Sequence, residues 1–169
     1  MRRITRFKIN KAGKVRCEYE IARGEEEFDE YGFTSKDKPV PELENKFKEF
    51  GEYVDDICEL NLEEHQMYRL EVRGFSFSYA GDKEVMGCTI TAIKKLSNSN
   101  SPLILNTPHK IAEFYSDHGS EKQLMPDGMY DDLKELCELI QKYIDGERAQ
   151  EKLNFSEEKT EVTVEIIQK

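Results

Sequence analysis

The residues of this chain best placed to do recognition chemistry are carboxylates at helical spacing. Glu42, Glu49, Glu52, Asp56 and Glu59 fall within an arc of about 100° on a helix of 3.6 residues per turn and span about 25 Å. Asp131, Glu135, Glu138 and Asp145 repeat the arrangement opposite Leu133, Leu136 and Ile140, interrupted by Lys134 and Lys142. A run of this kind sets negative charge at steps of roughly 5–10 Å, as a phosphate backbone does. It would fit a basic nucleic-acid channel in another protein. The ordinary reading is a solvated helix face. Such faces, however, interleave Lys with Glu at i, i+4, whereas only Lys46 and Lys48 stand against the acids between Glu42 and Glu64.

A second constellation lies at the N-terminus. Arg2, Arg3, Arg6 and Lys8, followed by Lys11, Lys14 and Arg16, form a block without an acid, and Glu18 to Glu30 reverse the sign. If the two blocks pair as strands, opposite charges face each other, worth a few tenths of a kcal/mol per pair. The functional alternative is a basic ridge that binds single-stranded nucleic acid through charge and nearby aromatics.

Other chemistry has little support in the residues. No HExxH, GxxxxGK or GxGxxG pattern is present, and the four cysteines form no CxxC pair. Cys17, Cys58, Cys88 and Cys137 each fall on an apolar stripe, which predicts buried, reduced thiols. His109, Asp117 and His118 share one irregular segment, and the 106–118 loop is the place a small-ligand sponge or an enzyme would be centred. The expectation is no catalytic residue, no metal site and no cofactor.

The elements that position these groups follow from periodicity. Thr5–Ile9, Val15–Ile21 and Glu26–Phe33 read as a three-stranded meander, turned at Asn10–Gly13 and Arg23–Gly24. Leu43, Phe47, Phe50, Val54 and Ile57 define a helix over 41–59, with Pro41 at its start and Gly51 its weak position. Residues 67–79 and 84–96 form the strongest hairpin, with a bulge at Gly74 where the apolar parity switches. Leu103–Leu105 reads as a short buried segment and 106–123 as an extended loop with room for one turn of helix. Met129, Leu133, Leu136, Cys137, Ile140 and Ile144 define a second helix over 127–145, capped by Asp127 and ended by Gly146. Residues 149–159 form a charged linker to a strand carrying Val162, Val164 and Ile166. The predicted order β-β-β-α-β-β-α-β gives a single α+β domain over 1–169, a mostly antiparallel sheet with two amphipathic helices packed on it.

The whole chain has 169 residues, 35 acids against 25 Lys and Arg, and a formal net charge of −10. Direct binding to duplex nucleic acid or to an anionic membrane surface is disfavoured on that balance. No stretch approaches the ~20 apolar residues of a membrane span, and the basic N-terminus lacks a signal peptide's apolar run. The expected compartment is the cytosol.

Three stretches carry a resemblance: Val72–Tyr79 continuing through Glu84–Gly87 to Thr89–Ala92, then Asn98–His109, then Tyr143–Gln150. Together they resemble segments of small proteins encoded by tailed phages and prophages. The resemblance covers about a quarter of the chain, leaves the first 60 residues aside and transfers no active site. It implies a mobile-element origin and a bacterial host cytosol. Combined with the charge, it leads to an interaction protein that binds a basic host protein, such as a CRISPR-type defence nuclease, and inhibits it. The alternatives are a phage replication or recombination factor acting through the N-terminal ridge, and the ligand sponge or enzyme of the 106–118 loop.

Overall fold

The structure is a computed structural model and describes residues 2–149. The expected linker beyond Ala149 and the strand around Val164 lie outside the described residues.

The meander forms as its alternation requires. Strands β1 (Arg2–Ile9), β2 (Val15–Ala22) and β3 (Phe28–Ser35) pair antiparallel in sequence order. β4 (Leu70–Ala80) then pairs with β1 and with β5 (Val85–Lys94), so the N-terminal strand is interior to the sheet. The short strands β6 (Leu103–Asn106) and β7 (Lys110–Ile111) both pair with β5. The path across the sheet is β3-β2-β1-β4-β5-β6, antiparallel throughout. The predicted bulge is present: the β4–β5 register shifts between Val72 and Gly74. A Cβ at Gly74 would lie 2.5 Å from Lys8 Cγ and 3.0 Å from the Phe7 carbonyl, so only glycine lets β1 approach there.

One face of the sheet is covered by helices α1 (Pro41–Glu49), α2 (Gly51–Ile57) and α3 (Met129–Ile144). Phe7 on β1 shows that α1 and α3 share that face, since its ring meets Phe47 at 5.9 Å and Tyr143 at 5.6 Å, both edge-on. Phe75 on β4 is the hub of the aromatic core, with Phe50 at 4.9 Å and Phe47 at 5.0 Å. Edge-to-face pairs of this kind add about 0.5–1.5 kcal/mol each beyond area burial. The other sheet face presents Ser76, Ser78, Thr89 and Thr91, all half-buried and alternating with the buried Phe75, Phe77, Cys88 and Ile90.

Several expected boundaries move. The helix expected over 41–59 is two, broken at Phe50 (ψ −10°) immediately before Gly51, the position with the poorest helix propensity. Met67 and Tyr68 belong to a 3-10 turn over Glu64–Arg69, and β4 begins only at Leu70. Leu103 and Ile104 are not buried: they stand 45% and 68% exposed on the edge strand β6. The 106–123 segment contains the expected turn of helix, a 3-10 turn over Glu121–Gln123, but also the short strand β7. Asp127 does not cap α3. The N-cap is Gly128 at φ 82°, with no side-chain bond, and Asp131 and Asp132 in the first turn meet the helix dipole. The predicted stop is present: Gly146 at φ 107° donates to Tyr143 O, and Glu147 N donates to Lys142 O, a Schellman closure.

Candidate functional site: an acidic helix layer over a buried lysine

The packing of α1 against α3 places a cation where the apolar stripe predicts a hydrophobe. Lys46 follows Leu43 by three and precedes Phe50 by four, so it points inward with them, and it is 7% exposed. Its Nζ lies 2.9 Å from Asp132 Oδ1, 2.6 Å from Glu135 Oε2 and 3.1 Å from Glu49 Oε2. Asp132 also accepts a bond of 2.5 Å from the Tyr53 hydroxyl. Burial works against the charged ammonium. Its bonds to Glu135, Asp132 and Glu49 prevail and hold its pKa above the usual lysine value. The Tyr53 bond and then the Lys46 bond hold the Asp132 carboxyl below the usual carboxylate range. Burial, reinforced by the Asp132 carboxylate, pushes the Tyr53 phenol up to about 12.

This cluster arranges the predicted acidic residues. Glu42 and Glu49 lie on α1, Glu52 and Asp56 on α2, and Glu59 just beyond it in a left-handed conformation (φ 54°). Asp131, Glu135 and Glu138 lie on α3. All eight are exposed. The break at Phe50 means they do not form one straight row on a single helix. Instead, Glu49 of α1 and Glu135 of α3 reach the same Lys46 Nζ, so the two acidic faces touch at that point of the α1–α3 seam. Asp131 is tempered by Lys134 at 2.7 Å.

Sequence reasoning missed Lys46, Asp132 and Tyr53. The signal was present for two of them. Asp132 also sits on an inward stripe, three after Met129 and four before Leu136. A lone cation and a lone anion on two apolar stripes are candidates for pairing, because burying either alone is costly.

Three of the four candidate ridge cations, Arg2, Arg3 and Arg6, find carboxylates within the fold. Arg3 pairs with Glu20 at 2.7 Å and with Glu84 at 2.6 Å, and its guanidinium lies 3.6 Å over the Phe28 ring. Arg2 bonds Asp145, and Arg6 lies 4.0 Å from Glu18. Lys8 lies along Gly74. The register sets Arg3 opposite Glu20 and Arg6 opposite Glu18, the hairpin charge pairing that the sequence suggested, but sets Lys8 opposite Arg16.

The 106–118 segment is tied to the sheet at Thr107 and His109. Thr107, buried, exchanges bonds with Ile90: its Oγ1 accepts from Ile90 N and its N donates to Ile90 O, both at 2.9 Å. His109 lies over Gly87, with Nε2 3.2 Å from Ser78 Oγ and Nδ1 3.4 Å from Thr89 Oγ1. Phe114 covers Gly119, and Tyr115 packs against Gly81. His109 and His118 line one small cavity of about 210 Å³, while Asp117 lines a different one. No cluster of three metal-ligating side chains occurs among the described residues.

Cys17 and Cys88 are buried, but Cys58 and Cys137 are only half-buried, and all four are free thiols. Among the described residues no helix is long and apolar enough to cross a membrane. Comparison with protein-family models, with curated proteins and with solved structures finds no match.

Proposed function

We propose that this chain is an acidic, phage-type interaction protein that acts in a bacterial host cytosol. It binds a basic host protein that handles nucleic acid, of the kind of a CRISPR-type defence nuclease, and inhibits it by filling the channel meant for the phosphate backbone. The observation that carries the reading is the meeting of two acidic helix faces at Lys46. Carboxylates from α1, α2 and α3 stand exposed on the helix layer, and the cation at which the faces touch is itself almost inaccessible to solvent. The N-terminal ridge is the weaker candidate, because Arg2, Arg3 and Arg6 already face Asp145, Glu20, Glu84 and Glu18.

The test uses charge reversals that spare the lysine cluster. Glu52→Lys, Asp56→Lys and Glu138→Lys together are expected to abolish capture of a basic nucleic-acid-binding partner from host lysate, with an unchanged far-UV spectrum. Binding by the unmodified protein should weaken with salt, since the Debye length falls from about 10 Å at 0.1 M to about 3 Å at 1 M. Undiminished capture by the triple variant would overturn the reading. Loss of binding on Arg6→Glu and Lys8→Glu alone would transfer the function to the sheet.

A further inference from the structure

A groove of about 640 Å³ opens between α1, the 3-10 turn over Glu64–Arg69 and the adjoining ends of β1, β4 and β5. Its floor is apolar and rigid: Phe47, Leu70 and Val72 belong to the buried core, and Met67 and Ile9 pack against that core from the side. Its size is that of a small-molecule site, for which about 300–1,000 Å³ is usual. The rim carries Lys48, Arg73 and Lys95 against Glu44 and Glu71. Glu71 is matched to Arg73 at 3.2 Å. Lys48 and Lys95 are exposed and make no ion pair with any described residue. In a chain with ten more acids than bases, this is a locally cationic lip over an apolar floor. Met67 and Ile9 are half-buried, so an apolar ligand body would cover the part of the floor that water still reaches. The rim has three cations and two carboxylates, so it favours an occupant with one negative charge and disfavours a doubly charged phosphate monoester.

We propose that this groove binds a small organic monocarboxylate, its alkyl or aryl body lying on Phe47, Met67 and Val72 and its carboxylate facing Lys48 and Lys95. The site is separate from the acidic layer and does not depend on the partner proposed for it.

The experiment is a titration of the full chain, methyl-labelled at Met and Val, with octanoate, with phenylpropanoate and with neutral octanol. Octanoate or phenylpropanoate is expected to give saturable methyl shifts at Met67 and Val72, and whichever binds more tightly identifies the body as alkyl or aryl. Lys48→Glu combined with Lys95→Glu, both at exposed positions, should weaken that binding by about tenfold or more. Lys83→Glu combined with Lys142→Glu, equally exposed but outside the groove, should retain it. Absence of shifts at Met67 and Val72 with either carboxylate overturns the proposal. So does equal affinity for octanol, or binding indifferent to the two lysines.

Discussion

Lys46 on α1 and Asp132 on α3 meet at 2.9 Å across a separation of 86 residues, and the lysine is almost wholly removed from water. A buried ion pair is weak evidence of net stabilisation, but breaking one strands the remaining charge. Asp132→Ala leaves Lys46 with only Glu49 and Glu135, both exposed, and leaves the Tyr53 hydroxyl without its acceptor. The expected loss is about 1–3 kcal/mol, read from urea unfolding.

The same cluster sets two pH limits. The Asp132 carboxyl titrates lower in the folded protein than in the unfolded chain, so its contribution is complete above about pH 4 and disappears as pH falls through the folded value. Lys46 and Tyr53 titrate higher when folded. Their contributions are complete below about pH 10 and are lost as pH rises, for Tyr53 through about 12. Stability against pH should therefore fall in acid below about 4 and in alkali above about 10. Asp132→Asn should flatten the acid limb relative to the unmodified protein.

Glu49→Lys should behave differently from the outward reversals. Its carboxylate lies 3.1 Å from Lys46 Nζ, so the substitution sets a second cation against a buried one. A lowered melting temperature is expected for Glu49→Lys, with little change for Glu52→Lys or Asp56→Lys, which lie outside the cluster. Equal melting temperatures for all three would show that Lys46 is satisfied without Glu49.

Phe75→Ala should be the most damaging single truncation in the core. The ring sits within 5.0 Å, centroid to centroid, of both Phe47 and Phe50 and is fully buried, so its removal leaves a cavity under both α1 and α2. A cost of about 3–5 kcal/mol is expected from chemical denaturation.

The thiols should separate into classes. Burial pushes Cys17 up to about 12 and Cys88 higher still, so both should react with a thiol reagent only after unfolding. Cys58, half-buried at the end of α2, should label first under native conditions, although its thiol is also raised by burial and by Asp55. Mass spectrometry of partially labelled protein reads the order.

Much of this fold is local and was legible for that reason. Val15, Cys17 and Tyr19 alternate, Leu43, Phe47 and Val54 recur at helical spacing, and a parity switch marks Gly74. Each pattern belongs to consecutive residues whose backbone period is 2 or 3.6. They locate the meander, the long hairpin, both helical regions and, at Gly146, the stop of α3. The acidic residues were likewise readable as exposed, because they lie opposite those stripes. Contacts between distant residues were not. Lys46 could be seen as an oddity on an apolar stripe, but its partners come from a helix whose position depends on how both helices lie on the sheet. The edge position of Leu103 and Ile104 escaped for a related reason: an apolar triplet has the same appearance in a core strand as on a sheet edge, and only the number of neighbouring strands separates the two. The basic N-terminal block could have been a free ridge or half of a paired hairpin. Register decided between them, setting Arg3 against Glu20 and Arg6 against Glu18 while the end of α3 brought Asp145 to Arg2. Pairing across strands and packing between helices depend on the three-dimensional arrangement, and a one-dimensional pattern supplies candidates for them without choosing among them.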